Sequence, residues 1–146
     1  MQPISLTALA EKHLDAARQA ASGRSAHTIR GGRRHSLHQT LLALVAGRGL
    51  DEHQSPGEAT LLILRGRVRL ATAGEGWEAA AGDYLDIPPQ RHTLSAIEDS
   101  AVLLTVLTGV SGVATPDAPA PERSLPAEPD PDDAAPPTDT LGRPDL

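Results

Sequence analysis

The sequence predicts an all-β protein, an antiparallel sandwich or barrel with one helix in front and a polar tail behind. Three observations carry that expectation. Seven or more short apolar segments, closed by glycine, proline or acidic turns, follow one another between Ser36 and Leu107. Helical periodicity is read once, ahead of them, between Ser5 and Ala21. From Ala114 the composition turns to proline, alanine and acid. The expected divisions are an N-terminal helix in residues 1–24, a β-barrel in 25–113 and a disordered, acidic, Pro-rich tail in 114–146.

Ser5 is placed to cap the helix, and Leu6, Leu9, Ala10, His13, Leu14, Ala17 and Ala21 recur at spacings of three and four, with Gly23 as its stop. A short strand at Ala26 to Arg30 then meets Gly31-Gly32, a pair suited to a hairpin turn. Ser36 to Ala46 is the first strong strand. Its alternation puts His38, Thr40, Leu42 and Leu44 on one face and Leu37, Gln39, Leu41 and Val45 on the other, and leaves open which face is inward. Thr60 to Leu64 and Val68 to Ala71 read as a hairpin around Arg65-Gly66-Arg67. Trp77 to Ala80, Tyr84 to Ile87, His92 to Ile97 and Ala101 to Leu107 complete the set, with Pro88-Pro89 breaking the chain between the second and third.

Charge is unevenly divided. Of 19 acidic residues eight lie from Asp117 onward, and of 13 basic residues only Arg123 and Arg143 do, so the tail carries the whole formal charge of −6. Residues 1–113 are balanced, which removes the electrostatic case for direct nucleic-acid binding. Trp77 and Tyr84 are the only aromatics besides histidine, so base-stacking platforms are lacking as well. With no cysteine, disulfides and thiolate metal sites are excluded. No apolar run reaches the roughly 20 residues of a membrane helix, and Glu11, Lys12 and Asp15 interrupt any signal-peptide core; the expectation is a cytoplasmic protein.

The chemistry-bearing stretch runs from Arg48 to Leu94. Its first half, Gly49 to Gly66, holds Asp51-Glu52-His53-Gln54-Ser55, a Pro56-Gly57 turn, Glu58 and an apolar strand; its second half, Gly82 to His92, ends in Pro88-Pro89-Gln90-Arg91-His92. The pair resembles the two sequence motifs of the cupin superfamily, over roughly residues 36–107. That resemblance implies a jelly-roll β-barrel, commonly a homodimer, with a pocket at one end. In the family, the first motif supplies H-x-H and a following glutamate and the second supplies one more histidine, together holding a divalent metal. Two imidazoles spaced i, i+2 on a strand share one face, which is why that spacing suits a common ion.

Carried over residue by residue, the resemblance gives His53 as the first histidine and His92 as the last. Ser55 stands where the second histidine belongs and Ala59 where the glutamate belongs, with Glu58 one place early; Gln90 replaces the second motif's glycine. The metal set so implied is His53, His92 and Glu58, for Fe, Mn, Ni or Zn if an ion is held at all. The ligand-lining set is His53, His92, Gln90 and His38. The sequence reading is thus a small-molecule-binding or sensing protein with a degenerate or absent metal site, regulatory only through a partner. The alternative is a metal-dependent oxygenase or isomerase, separated from the first reading by Ser55 and Ala59. A third is a filled barrel that scaffolds another protein.

Overall fold

The structure, a computed structural model, describes residues 2–54 and 57–108. The expected tail and the Ser55-Pro56 step lie outside the described residues. A helix, α1 (Leu6–Gln19), precedes nine strands: β1 (Arg24–Arg30), β2 (Leu37–Leu44), β3 (Gly49–His53), β4 (Glu58–Arg65), β5 (Arg67–Ala71), β6 (Gly76–Ala80), β7 (Tyr84–Asp86), β8 (His92–Ala96) and β9 (Ser100–Leu107). Two antiparallel sheets result, one ordered β1-β2-β9-β4-β7 and one ordered β3-β8-β5-β6. Among the described residues no helix is long and apolar enough to cross a membrane.

The helix begins where Ser5 Oγ accepts from the Ala8 N–H at 3.0 Å, satisfying one of its orphan donors. Its buried face, Ala10, Leu14 and Ala17, packs on Leu41, Ala43 and Ala101 of the first sheet. Arg18 fixes its far end, donating to Asp99 at 2.9 Å, while the other Asp99 oxygen accepts from the Ala46 N–H at 2.9 Å.

Strand β2 settles the question its alternation left open: both faces are buried. Leu42 and Leu44 join the core between the sheets, whereas Leu41 and Ala43 lie under α1. A strand covered on both sides reads as a continuous apolar run, which is what Leu41-Leu42-Ala43-Leu44 is. The inter-sheet core is aliphatic throughout, with Leu61 and Ile63 of β4, Val68 and Leu70 of β5, Leu94 of β8 and Val102, Leu104 and Val106 of β9.

The hairpin expected around Gly66 is not formed. β4 pairs with β9 and β7, β5 pairs with β6 and β8, and Gly66 marks the corner where the chain leaves one sheet for the other. Gly66 has φ +80°, and a Cβ there would run into Asp99 and Ser100. Ser100 Oγ seals the corner by accepting from the Arg67 N–H at 3.0 Å. A glycine between two apolar strands looks the same in sequence whether the chain folds back or crosses over; the cross-sheet approach decides.

Strand β3 was not expected, since Gly-Leu-Asp-Glu-His carries one aliphatic residue. It is an edge strand with a single partner, β8, and needs only Leu50 to reach the core. Its placement beside β8 brings the two chemistry-bearing halves of the sequence together.

Candidate functional site

His53 and His92 face each other as register partners across β3 and β8. On β8, Leu94 and His92 are two apart and both point inward. On β3, Leu50 and His53 are three apart, a spacing that in a regular strand puts them on opposite faces. The pairing runs Leu50 with Leu94 and His53 with His92, so β3 carries one extra residue between these rungs. That bulge rephases the strand and turns His53 back toward the core. Both rings end up inside, His53 with 6% and His92 with 2% of its surface exposed. Their centroids lie 4.6 Å apart with the planes at 60°.

Each ring is anchored in the same way. His53 Nδ1 lies 2.8 Å from the Asp51 carbonyl oxygen, and His92 Nδ1 lies 2.9 Å from the Gln90 carbonyl oxygen. A carbonyl oxygen can only accept, so each Nδ1 carries the proton and donates it, and in the neutral ring Nε2 is left as a bare acceptor. Neither Nε2 has a partner among the described residues, and neither is sealed from space as a buried orphan atom. Burial pushes the His53 pKa below its ordinary value; the Asp51 carbonyl works against this, and His92 and Arg91 act with it. His53 therefore stays neutral at pH 7 and keeps its lone pair.

The rings border a cavity lined otherwise by aliphatic side chains, among them Leu42, Leu50, Leu61, Leu70 and Leu104. Its interior gives about 20 Å³ to the centres of water molecules, within about 350 Å³ of empty space that includes the open mouth. The inner part can hold roughly one water, which needs about 10–15 Å³ by the same measure. Next to the two histidines in sequence, Gln54 donates to the Pro89 carbonyl at 2.9 Å and Arg91 pairs with Glu52 at 3.4 Å, tying the end of β3 to the segment that precedes β8.

The other residues expected at the site are placed differently. Glu58 is exposed, on the opposite phase of β4 from the buried Ala59. Gln90 has an exposed side chain, and what it offers the site is its main-chain carbonyl. His38 is half-buried and shares the phase of Leu42 on β2, but its Nε2 lies 2.9 Å from the His35 carbonyl and it is not part of the cavity lining. Sequence reasoning passed over the aliphatic lining and the Asp51 carbonyl; inward strand phase was the signal for the first, and nothing marked the second.

The described residues do not fit the divalent ion that the motifs imply. A catalytic ion usually takes at least three protein ligands, and the donor set here is two imidazoles. No group of three or more histidine, aspartate or glutamate side chains able to hold an ion occurs among the described residues. The remaining wall is hydrocarbon and leaves a double positive charge uncompensated.

No protein-family model and no curated protein matches the chain. Solved structures do. A conserved protein of unknown function from Streptococcus pyogenes is 27% identical over 62% of this chain and 78% of its own, with a TM-score of 0.55. A cupin superfamily protein from Desulfitobacterium hafniense superposes over 74% of this chain and 92% of its own, at 16% identity and a TM-score of 0.61. An RmlC-like cupin protein from Desulfovibrio desulfuricans covers 57% and 81%, at 22% identity and a TM-score of 0.51. The likeness is one of fold, and it matches the jelly-roll expectation.

Proposed function

We propose that this cupin-fold protein is a small-molecule-binding module whose ligand enters the barrel between the two sheets and is held at the His53–His92 pair. One observation carries the reading: two buried imidazoles, each locked through Nδ1, present unused Nε2 acceptors at an otherwise aliphatic cavity. Folding gains nothing from leaving such acceptors without a protein partner in an aliphatic surround, where only water at the open cavity can meet them. A ligand that matches them replaces that water and adds apolar contact. Concave, mostly apolar sites with a few convergent polar groups are what small-molecule sites look like.

The test pairs elemental mass spectrometry of protein purified without chelator with a thermal-shift screen of small molecules, on the native chain and on a His53→Phe/His92→Phe variant. Metal-free protein that gains stability from compounds without effect on the variant supports the binding module. Near-stoichiometric metal that vanishes in the variant contradicts it and promotes the oxygenase or isomerase reading. The homodimer implied by the resemblance belongs to the same proposal, with light scattering as its check.

A further inference from the structure

The His53–His92 pair has a definite hydrogen-bond polarity. Both Nδ1–H groups are committed to main-chain carbonyls, at 2.8 and 2.9 Å, so what remains for a ligand is two acceptors and no donor. The aliphatic wall contributes neither. Resting on the binding reading above, we propose that the pair recognises the hydrogen-bond donor of a small neutral molecule, a hydroxyl or a primary carboxamide, whose apolar remainder lies against Leu42, Leu61 and Leu104.

Three ligand classes are separated by this arrangement. A carboxylate brings lone pairs against lone pairs and leaves its own charge without a donor in a hydrocarbon surround. An alkylammonium supplies donors, but its charge finds no anionic side chain among the described residues of the lining: Glu58 is exposed on the other phase of β4 and Glu52 is paired with Arg91. A hydroxyl or amide N–H satisfies an acceptor without adding charge. A primary amide, with two hydrogens on one nitrogen, can serve both rings, whose centroids are 4.6 Å apart. The inner space holds about one heavy-atom group, so the hydroxyl or the amide NH2 goes inside, and the amide carbonyl, which meets no donor in the lining, turns toward the mouth and water with the carbon chain.

The experiment titrates the full chain at pH 8 with propan-1-ol, propanamide, propanoate and propylammonium, four three-carbon probes compared as alcohol with ammonium and amide with carboxylate, and with xenon as an apolar probe without a head group. Binding is followed by NMR shifts of methyl groups lining the cavity, in the native protein and in His53→Phe/His92→Phe. The expected result is that the alcohol and amide bind at least about tenfold tighter than either ion, a difference of about 1.4 kcal/mol, and that the double variant loses this preference. Equal binding of all four heads, or tighter binding of an ion, with xenon still bound to the native protein, overturns the donor inference and leaves the cavity as a binding site. Failure of every probe and of xenon in the native protein overturns the binding reading itself, and the inference with it.

Discussion

Replacing both histidines with phenylalanine should make the protein more stable while removing its binding. Each substitution gives up one Nδ1–H bond to a carbonyl, a loss of about 0.5–1.5 kcal/mol. Those carbonyls belong to Asp51 and Gln90, both exposed residues, so water can replace much of it. Each substitution also removes an acceptor that no described residue meets, in a ring no more than 6% exposed; the atom still reaches the open cavity, so the unfavourable part is about 1 kcal/mol, the low end for an unsatisfied group. The larger phenyl rings extend into the cavity of about 20 Å³ beside them. The balance is about 0.5 kcal/mol in favour of each phenylalanine, or about 1 kcal/mol for the pair. For a folded part of this size that raises Tm by about 4 °C. Urea denaturation is the assay: the midpoint should rise with m unchanged. A double variant destabilised by about 2 kcal/mol or more would refute the reasoning, because the pair would then be a structural element rather than a site kept at the expense of stability.

Acid should weaken the fold through His53 and His13. Burial lowers the pKa of both, so the unfolded chain takes up protons from about pH 6.5 downward before the folded state does. Their contribution is complete above that value and is lost as the pH falls below it; the Tm difference between pH 7.5 and 5.0 should shrink in His53→Phe and in His13→Asn, and an unchanged difference would contradict it. Adjacent core leucines should behave differently in function: Leu41→Ala and Leu42→Ala each cost about 2–5 kcal/mol in denaturation, but only the second, which borders the cavity, should change ligand affinity. Gly66→Ala should cost more than about 1 kcal/mol, from its φ of +80° and the close approach of Asp99 and Ser100; a neutral outcome by the same assay would show that the corner can relax.

The barrel was legible where the pattern was local. Ser5 marked the helix start, and the runs at Leu61, Leu94 and Leu104 marked core strands, because burial of alternate residues leaves its trace in composition. Strand β3 was not legible, since an edge strand with one inward leucine carries almost no apolar signal. The Gly66 corner was misread as a hairpin because the deciding contacts come from Asp99 and Ser100, more than 30 residues away. At the site, motif order placed His53 and His92 together, but the bulge that turns His53 inward and the carbonyls that set both tautomers are backbone features. Glu58 could be suspected of facing away by its phase beside Ala59, and its exposure agrees with that phase.

The measurement that bears most directly on the central claim is a long-range ¹H–¹⁵N correlation spectrum of the His53 and His92 rings in the ligand-free protein at pH 8, purified without chelator. The account predicts protonated Nδ1 and bare, unligated Nε2 in both rings, with the Nε2 signals moving when propanamide is added. Protonated Nε2 in either ring, or Nε2 shifts characteristic of a bound metal that a chelator removes, would contradict it.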